Sequence, residues 1–343
     1  MVEVREFGKL EDGRTVHCFR ITNQHGEFAE FLDYGAAIHN ICTADSKGHC
    51  GDIVLHAREA KELKRAREGF TIGRCANRIA YGRYTADGRE YQLETGPDGH
   101  YLHGGSGNYA RQMFDASACE DENAVYMHFS DPGMGGFDCP VEVNLRFSFD
   151  DAHRLTVTYR MCPEGTTLLC PTNHSFFNLD GGDIRNYQFR IPISRYAPRG
   201  ELGMPSGKSL PVEETFFDYQ NGKKLGDVLK DYVHTLPTGQ ERLSYDDFYV
   251  RNTMDFGLMA EVYAPASGRL MRLYSDMQSL VFCTPGPRFS GDPDYPCFCM
   301  EPQYVPNAVN CNGYYAVPLF HAGETLESTT VYEFLTGRNA RNI

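Results

Sequence analysis

Three segments of the sequence carry side chains whose chemistry suits proton transfer. His174 lies in the segment PTNHSFFNL, among small polar and aromatic residues, and His103 lies in LHGG, before two glycines. Glu301 lies in the segment MEPQYVPNAVN. An imidazole titrates near neutral pH and can act as an acid or a base, and a partly buried carboxylate can act as a base. Together the three side chains predict a site of general acid/base catalysis.

A fourth segment, GRCANRI at 73–79, joins these three in chain order. The ordered set resembles the aldose 1-epimerase, or galactose mutarotase, family. The similarity runs from about residue 70 to residue 311 and continues through the terminal strands. The resemblance implies a broad all-β sandwich with a sugar-binding cleft on one concave face. It also implies interconversion of the α and β anomers of a free sugar.

This reaction needs one group that removes the proton of the anomeric hydroxyl and another that gives a proton to the ring oxygen. Each positioned group typically contributes roughly 100-fold to 10,000-fold in rate, and no cofactor is required. We expect Glu301 to be the base and His174 the acid, the roles that the resemblance also implies. His103 is expected to hold or polarise the ring oxygen, because the Gly-Gly pair after it lets the backbone turn sharply. The alternative for His103 is a loop histidine that caps a turn.

Residues that bind the sugar hydroxyls are expected in two further segments. The planar guanidinium of Arg78 can bind adjacent hydroxyls, and Asn77 can both donate and accept hydrogen bonds. The resemblance places a hydroxyl-binding aspartate near SYDDFYV, where Asp246 is preferred and Asp247 is the alternate. Consecutive strand residues face opposite ways, so only one of the two can point into the cleft. A structural salt bridge for Arg78 and a plain turn at the two aspartates remain the alternatives.

The sequence departs from the family pattern around the expected cleft. The chain has no tryptophan, and Val281 replaces a glutamine that many relatives use toward the substrate. These changes leave the preferred aldose open, with galactose or glucose as the default. Phe177, Phe282 and Tyr304 could stack on a pyranose ring, but each is more typical of a core residue.

Strand patterns dominate the chain. Alternating apolar and polar residues predict strands over 141–149 and 155–161, joined as a hairpin that is half buried on one face. Strands at 83–86 and 89–93 flank Asp87-Gly88, a dipeptide that accepts the positive φ of a tight hairpin turn. Further strands are predicted at 125–130, 189–193, 270–275, 280–284 and 329–334.

Helix signals are few. Good helix formers of mixed charge predict a short exposed helix over 59–67, and 225–232 is expected to add a turn or two. Glycine and proline are spread at turn spacing, without a linker or an internal repeat. We therefore expect a single domain over 1–343, an all-β large antiparallel β-sandwich with few short helices.

Composition excludes several kinds of partner. The chain has 33 basic and 46 acidic residues, a formal charge of -13, which disfavours nucleic acid and anionic lipid. Its start lacks the apolar core of an export signal, and no run approaches the roughly 20 apolar residues that cross a bilayer. We expect a cytoplasmic protein, a monomer or a homodimer. The twelve cysteines are scattered, and Cys297 and Cys299 would share a strand face, so we expect buried packing and no metal.

Three other functions compete with the isomerase. A non-catalytic carbohydrate-binding protein would need the cleft without a matched acid and base. A glycoside hydrolase or lyase would place two carboxylates, such as Asp246 and Glu301, about 5 to 10 Å apart across an open cleft. A hexose-6-phosphate epimerase should group basic residues for the phosphate. Arg74 and Arg78 exist, but no third basic residue is obviously grouped with them.

Overall fold

The protein is described by a computed structural model that covers residues 1–66, 68–200, 203–232, 234–235, 241–242, 244–286 and 293–336. Strands and their connections make up most of this part of the chain, which confirms the predicted all-β class. The described residues include no helix that is long and apolar enough to cross a membrane.

The strands are numbered in chain order. The first fifteen are β1 (Val2–Lys9), β2 (Thr15–Thr22), β3 (Phe28–Leu32), β4 (Ala37–Ala44), β5 (Cys50–Asp52), β6 (Thr71–Ile72), β7 (Arg78–Ile79), β8 (Arg83–Ala86), β9 (Arg89–Gln92), β10 (Tyr101–Leu102), β11 (Asp115–Cys119), β12 (Ala124–Asp131), β13 (Val141–Phe149), β14 (Arg154–Pro163) and β15 (Thr167–Leu168). The rest are β16 (Thr172–Asn173), β17 (Phe176–Phe177), β18 (Gln188–Arg190), β19 (Arg195–Ala197), β20 (Leu210–Pro211), β21 (Lys223–Lys224), β22 (His234–Thr235), β23 (Glu241–Arg242), β24 (Asp246–Val250), β25 (Gly257–Ala264), β26 (Arg269–Ser275), β27 (Ser279–Cys283), β28 (Phe298–Gln303), β29 (Leu319–Phe320) and β30 (Leu326–Thr336).

Helical segments in the described residues are short. One α-helix, α1, spans Leu225–Leu229. Single 3₁₀ turns are Ala60–Glu62, Ala80–Gly82, Gly105–Gly107, Tyr109–Arg111, Ile184–Asn186 and Ala308–Asn310.

Three sheets form the body of the molecule, and their neighbouring strands run antiparallel. One sheet has nine strands in the order β11-β12-β13-β14-β30-β26-β25-β18-β21. A second has six strands in the order β17-β28-β27-β24-β19-β20, and a third has the five N-terminal strands in sequence order.

The nine-stranded and six-stranded sheets pack face to face. Tyr332 of β30 lies 5.3 Å from Phe177 of β17, measured between ring centroids. Phe189 of β18 lies 5.2 Å from both Phe282 of β27 and Phe298 of β28. All five rings are fully buried, so the aromatic residues between the two sheets form the centre of the sandwich. The five-stranded sheet adds to the same core through Phe31, whose ring lies 4.7 Å from that of Phe147.

Both predicted hairpins are confirmed. In β13 every second residue is buried, and its register with β14 pairs Val141 with Pro163 and Phe149 with Leu155. Asp87 and Gly88 adopt φ values of 52° and 76° between β8 and β9, as a tight hairpin turn requires. The strands predicted at 125–130, 270–275, 280–284 and 329–334 are present, and the one at 189–193 is shorter, as β18.

The helix expected over 59–67 is wrong. The segment forms only the 3₁₀ turn Ala60–Glu62 and further turns, and residue 67 lies outside the described residues. Its buried residues are Ala60, Leu63 and Ala66, at a spacing of three that suits successive tight turns. Nine residues of good propensity are too few to hold a helix without a packed face, so tertiary contacts decide the conformation. The turn expected at 225–232 is present as α1.

Candidate active site

Glu301 lies in β28, the strand next to the edge of the six-stranded sheet. The register places Val281 of β27 beside Glu301, and Phe248 of β24 beside Val281. Because alternate residues of a strand share a face, Cys299 and Glu301 point the same way, while Met300 between them joins the central core. The carboxylate therefore stands on the sheet face that is turned away from the nine-stranded sheet.

His174 lies in the short connection between β16 and β17, beside Glu301. Its Nε2 is 3.6 Å from Oε1 of Glu301, and its Nδ1 is 3.4 Å from Sγ of Cys299. The backbone holds the ring in place: the N–H of His174 donates to the carbonyl of Phe70, and the N–H of Gly69 donates to the carbonyl of His174, both at 2.9 Å. The imidazole predicted as acid and the carboxylate predicted as base are thus brought together.

Glu301 is more basic than an ordinary glutamate. Burial raises the pKa of Glu301 above the usual 4.5. The electrostatic effect of His174 opposes this rise, and the negative charge of Asp246 increases it. The residue is only 3% exposed, and Oε2 has no hydrogen-bond partner among the described residues. A buried carboxylate oxygen without a partner is costly, so this oxygen is ready to accept a proton from a bound hydroxyl.

His103 reaches the same region from the loop after β10. It adopts a φ of 50°, and a Cβ on the following Gly104 would lie 2.1 Å from the carbonyl oxygen of Gly73. Gly104, the first residue of the Gly-Gly pair, is therefore required for a close approach of two backbone segments. The rings of His103 and His174 are 5.6 Å apart and meet edge to face.

The hydrogen bonds of His103 indicate the tautomer of its neutral ring. The backbone N–H of Asn77 donates to Nδ1 of His103 at 3.1 Å, and the N–H of His103 donates to the carbonyl of Asn77 at 3.0 Å. An Nδ1 that accepts a hydrogen bond carries no proton, so the neutral ring holds its proton on Nε2. His103 is thus arranged as a hydrogen-bond donor.

Asn77 and Arg78 adjoin His103 through the pairing of β7 with β10. Asn77 is buried at a φ of 61°, and its Oδ1 accepts the N–H of Arg78 at 2.9 Å. Nε of Arg78 lies 3.6 Å from Oδ2 of Asp98 and makes no hydrogen bond to any residue that the structure describes. The salt bridge that was the alternative role for Arg78 is therefore present, but it is long and weak.

The two adjacent aspartates occupy different environments. The register puts Asp246 in the row of Cys283 and Cys299, and Asp247 in the row of Phe282 and Met300. Asp246 is therefore the one on the face of Glu301, and its side chain is 37% exposed. Asp247 is buried on the core side.

Asp247 is held by neighbours that the sequence did not indicate. It accepts a hydrogen bond from Tyr232 Oη at 2.8 Å and one from Arg199 Nε at 3.1 Å. Nη2 of Arg199 also lies 3.1 Å from Asp246, so one guanidinium fixes both carboxylates at the start of β24. Arg199 has no local signal, because its partners are distant in sequence. Cys299 had one: it precedes Glu301 by two residues on a strand.

The aromatic side chains are mostly structural. Phe177 and Phe282 are fully buried between the sheets, and Tyr304 is 8% exposed. Phe176, which the sequence did not single out, lies 4.9 Å from the ring of His174 and is partly exposed. It is the described aromatic residue best placed to support the imidazole.

Comparison with known proteins finds relatives along almost the whole chain. The family model described as aldose 1-epimerase matches residues 17–333. Galactose mutarotase of Rattus norvegicus is 29% identical over 345 residues, covering 96% of this chain and 97% of that protein. Aldose 1-epimerase of Escherichia coli K12 is 26% identical over 340 residues, covering 94% and 96%.

Solved structures share the fold. A galactose 1-epimerase from Lactobacillus acidophilus superimposes with a TM-score of 0.82 at 20% identity, covering 98% of this chain and 99% of that chain. An aldose epimerase homologue from C. elegans gives a TM-score of 0.83 at 21% identity, covering 92% and 98%. By the extent of the family match, the chain belongs to the aldose 1-epimerase family of isomerases.

Proposed function

We propose that this protein interconverts the α and β anomers of a free aldose, with Glu301 as base and His174 as acid. The observation that carries the proposal is the 3.6 Å separation of Glu301 Oε1 and His174 Nε2. At that distance each group can reach one of the two oxygens bonded to the same anomeric carbon.

The proton transfers balance without a cofactor. Glu301 takes the proton of the anomeric hydroxyl while His174, as imidazolium, gives one to the ring oxygen. The bond from C1 to the ring oxygen breaks, and an open-chain aldehyde forms. Rotation about the C1–C2 bond presents the other face of the aldehyde. Reversal of both transfers then closes the ring as the other anomer.

His103 assists at the ring oxygen. Its neutral ring donates from Nε2, because Nδ1 accepts the N–H of Asn77. A donor next to the oxygen on which negative charge develops lowers the barrier to ring opening. The backbone N–H of Asn77 also orients the imidazole of His103.

Sugar hydroxyls are bound by Arg78, Asn77 and Asp246. Asp246 shares the face of Glu301, and Arg199 keeps its carboxylate in place. Asp247 is assigned a structural role, because it is buried and held by Arg199 and Tyr232. We therefore propose that Asp246, and not the alternate Asp247, points into the cleft.

The two aspartates provide a matched test. Asp246→Asn should raise KM about 10-fold or more by weakening a charged hydrogen bond to substrate, with little change in stability. Asp247→Asn should lower the free energy of unfolding by about 3 kcal/mol, because it breaks a buried charge pair. Steady-state kinetics and urea unfolding of both variants measure this. If Asp246→Asn has the KM of the wild type and is the less stable of the two variants, the assignment is reversed.

The structure does not favour a phosphorylated substrate. Arg74 is 1% exposed, and its guanidinium binds Asp131 at 2.7 Å. Arg78 faces Asp98, and Arg199 is shared by Asp246 and Asp247. Arg74 and Arg199 each bind a buried carboxylate closely, and only Arg78, whose contact with Asp98 is long, remains available to a ligand, so these three described arginines form no basic cluster for a phosphate.

Polarimetry tests the function directly. Purified protein should speed the approach of freshly dissolved α-D-glucose or α-D-galactose to its equilibrium rotation. A panel of hexoses and pentoses would then rank the substrates. The apolar side chain of Val281, beside Glu301, is the feature by which we expect this site to differ from those of its relatives. A trace equal to that of buffer for every sugar would favour a carbohydrate-binding protein instead.

A further inference from the structure

We propose that His174, Cys299 and Glu301 also form a binding site for Zn²⁺, and that a bound zinc ion inhibits the enzyme. One ligand atom from each of the three residues lies within 4.8 Å of the others. The binding part of this inference stands by itself, and the inhibition part rests on the proposed function.

The distances suit a small tetrahedral cation. With bonds of about 2.0 to 2.3 Å, neighbouring ligands of zinc lie about 3.3 to 3.8 Å apart. Sγ of Cys299 is already 3.4 Å from Nδ1 of His174, and Nε2 of the same ring is 3.6 Å from Oε1 of Glu301. Whichever nitrogen binds, one edge has the required length, and small rotations of the imidazole and of the carboxylate would shorten the others.

The carboxylate has a free lone pair for the ion. Glu301 is almost fully buried, and within the part of the chain that the structure describes its Oε2 has no hydrogen-bond partner. A cation bound there would remove the cost of that unpaired oxygen. The described protein groups do not fill the hydrogen-bonding capacity of this carboxylate, which distinguishes it from the carboxylate of an ordinary buried ion pair.

Charge balance favours a divalent cation. The carboxylate of Glu301 and the thiolate of Cys299 together neutralise Zn²⁺, so that the assembly is neutral in a site of low dielectric. Asp246 adds negative potential, since it acts on the Glu301 carboxyl in the same sense as burial does. Without metal, burial holds the pKa of the Cys299 thiol well above its ordinary value. Binding therefore releases the thiol proton to solvent.

The ligand types select zinc over the common hard cations. Magnesium and calcium prefer oxygen ligands, whereas a thiolate with an imidazole suits zinc. Three protein ligands leave a fourth position for water or a sugar hydroxyl on the side from which His174 is 17% exposed. The ion would occupy the carboxylate that takes the proton during ring opening and would bind the imidazole of His174 as a ligand, and this explains inhibition.

Cobalt titration of the wild-type protein tests binding independently of activity. Co²⁺ should produce a thiolate-to-cobalt charge-transfer band in the near ultraviolet, and Zn²⁺ should abolish it. Cys299→Ser should remove the band and weaken zinc binding about 100-fold. Cys50→Ser, which changes an exposed thiol elsewhere, is the matched control and should keep the band. A wild-type protein without the band, or a Cys299→Ser variant that retains it, overturns the site.

A second variant guards against a folding defect in the first. Glu301→Gln should keep the charge-transfer band, because the sulfur remains, but should need at least about 10-fold more cobalt to develop it. Equal affinity in that variant would contradict the site.

In polarimetry, zinc should inhibit the wild type at the concentration that displaces cobalt. Displacement without inhibition overturns the inhibitory role. Absence of any mutarotation refutes the proposed function and leaves the titration as the test of the metal site.

Discussion

Replacement of Glu301 by glutamine is expected to reduce kcat for mutarotation by about 100-fold to 10,000-fold, the usual contribution of one general base. Glutamine keeps the shape of the side chain but cannot take the proton of the anomeric hydroxyl. The raised pKa of Glu301 makes it a stronger base than an exposed glutamate, so few nearby groups can substitute for it. Polarimetry with saturating α-D-galactose or α-D-glucose measures the loss.

The control is a glutamate outside the site. Glu327 is exposed and paired with Arg160 on the nine-stranded sheet, so Glu327→Gln should retain wild-type activity. If Glu301→Gln keeps more than about a tenth of the wild-type kcat, another residue is the base.

The same substitution has a predictable effect on stability, which shows whether the variant is folded. Because burial raises the pKa of Glu301 above 4.5, the folded protein binds this proton more tightly than the unfolded chain does. The stability contributed by the proton is complete below pH 4.5 and is lost as the pH rises through the folded pKa. Glu301→Gln should therefore melt at a higher temperature than the wild type at pH 8, and the difference should narrow toward pH 4.5.

Replacement of His174 by alanine is expected to reduce kcat by a similar factor of about 100 to 10,000, because the ring oxygen then lacks its proton donor. Added imidazole should restore part of the activity, since the side chain is 17% exposed and leaves a path for a small ring. Rescue separates proton transfer from a merely structural role. Polarimetry with and without imidazole provides the measurement.

His128 supplies the comparison. It lies on β12 with its side chain 42% exposed, paired with Glu142, so His128→Ala should neither slow the reaction nor respond to imidazole. Full activity of His174→Ala would assign the acid to another group, with His103 as the first to examine.

Local patterns explain why much of the fold could be predicted. Alternation in 141–149 and the Asp87-Gly88 turn each act over a few residues, and the structure reproduces both. The segment 59–67 failed for the opposite reason. Its helix propensity is local, whereas the packing of Ala60, Leu63 and Ala66 is tertiary.

The candidate site shows the same division between local and long-range information. His174, His103 and Glu301 could be named from their segments, but only the strand register places Asp246 on the face of Glu301 and Asp247 on the core side. Arg199 could not be found, because it meets its carboxylates only after the six-stranded sheet has formed.

The peptide bonds around His174 link the acid to a distant part of the fold. The N–H of Ile38, in β4, donates to the carbonyl of Gly69, the residue whose own N–H binds the carbonyl of His174. A Cβ on Gly69 would lie 1.9 Å from the carbonyl oxygen of Ile38, so the two backbones touch. The N-terminal sheet, which contributes none of the candidate site residues, therefore supports the backbone that carries His174, the proposed proton donor. Loss of that contact is expected to displace His174 while β28, which carries the proposed base Glu301, remains in place.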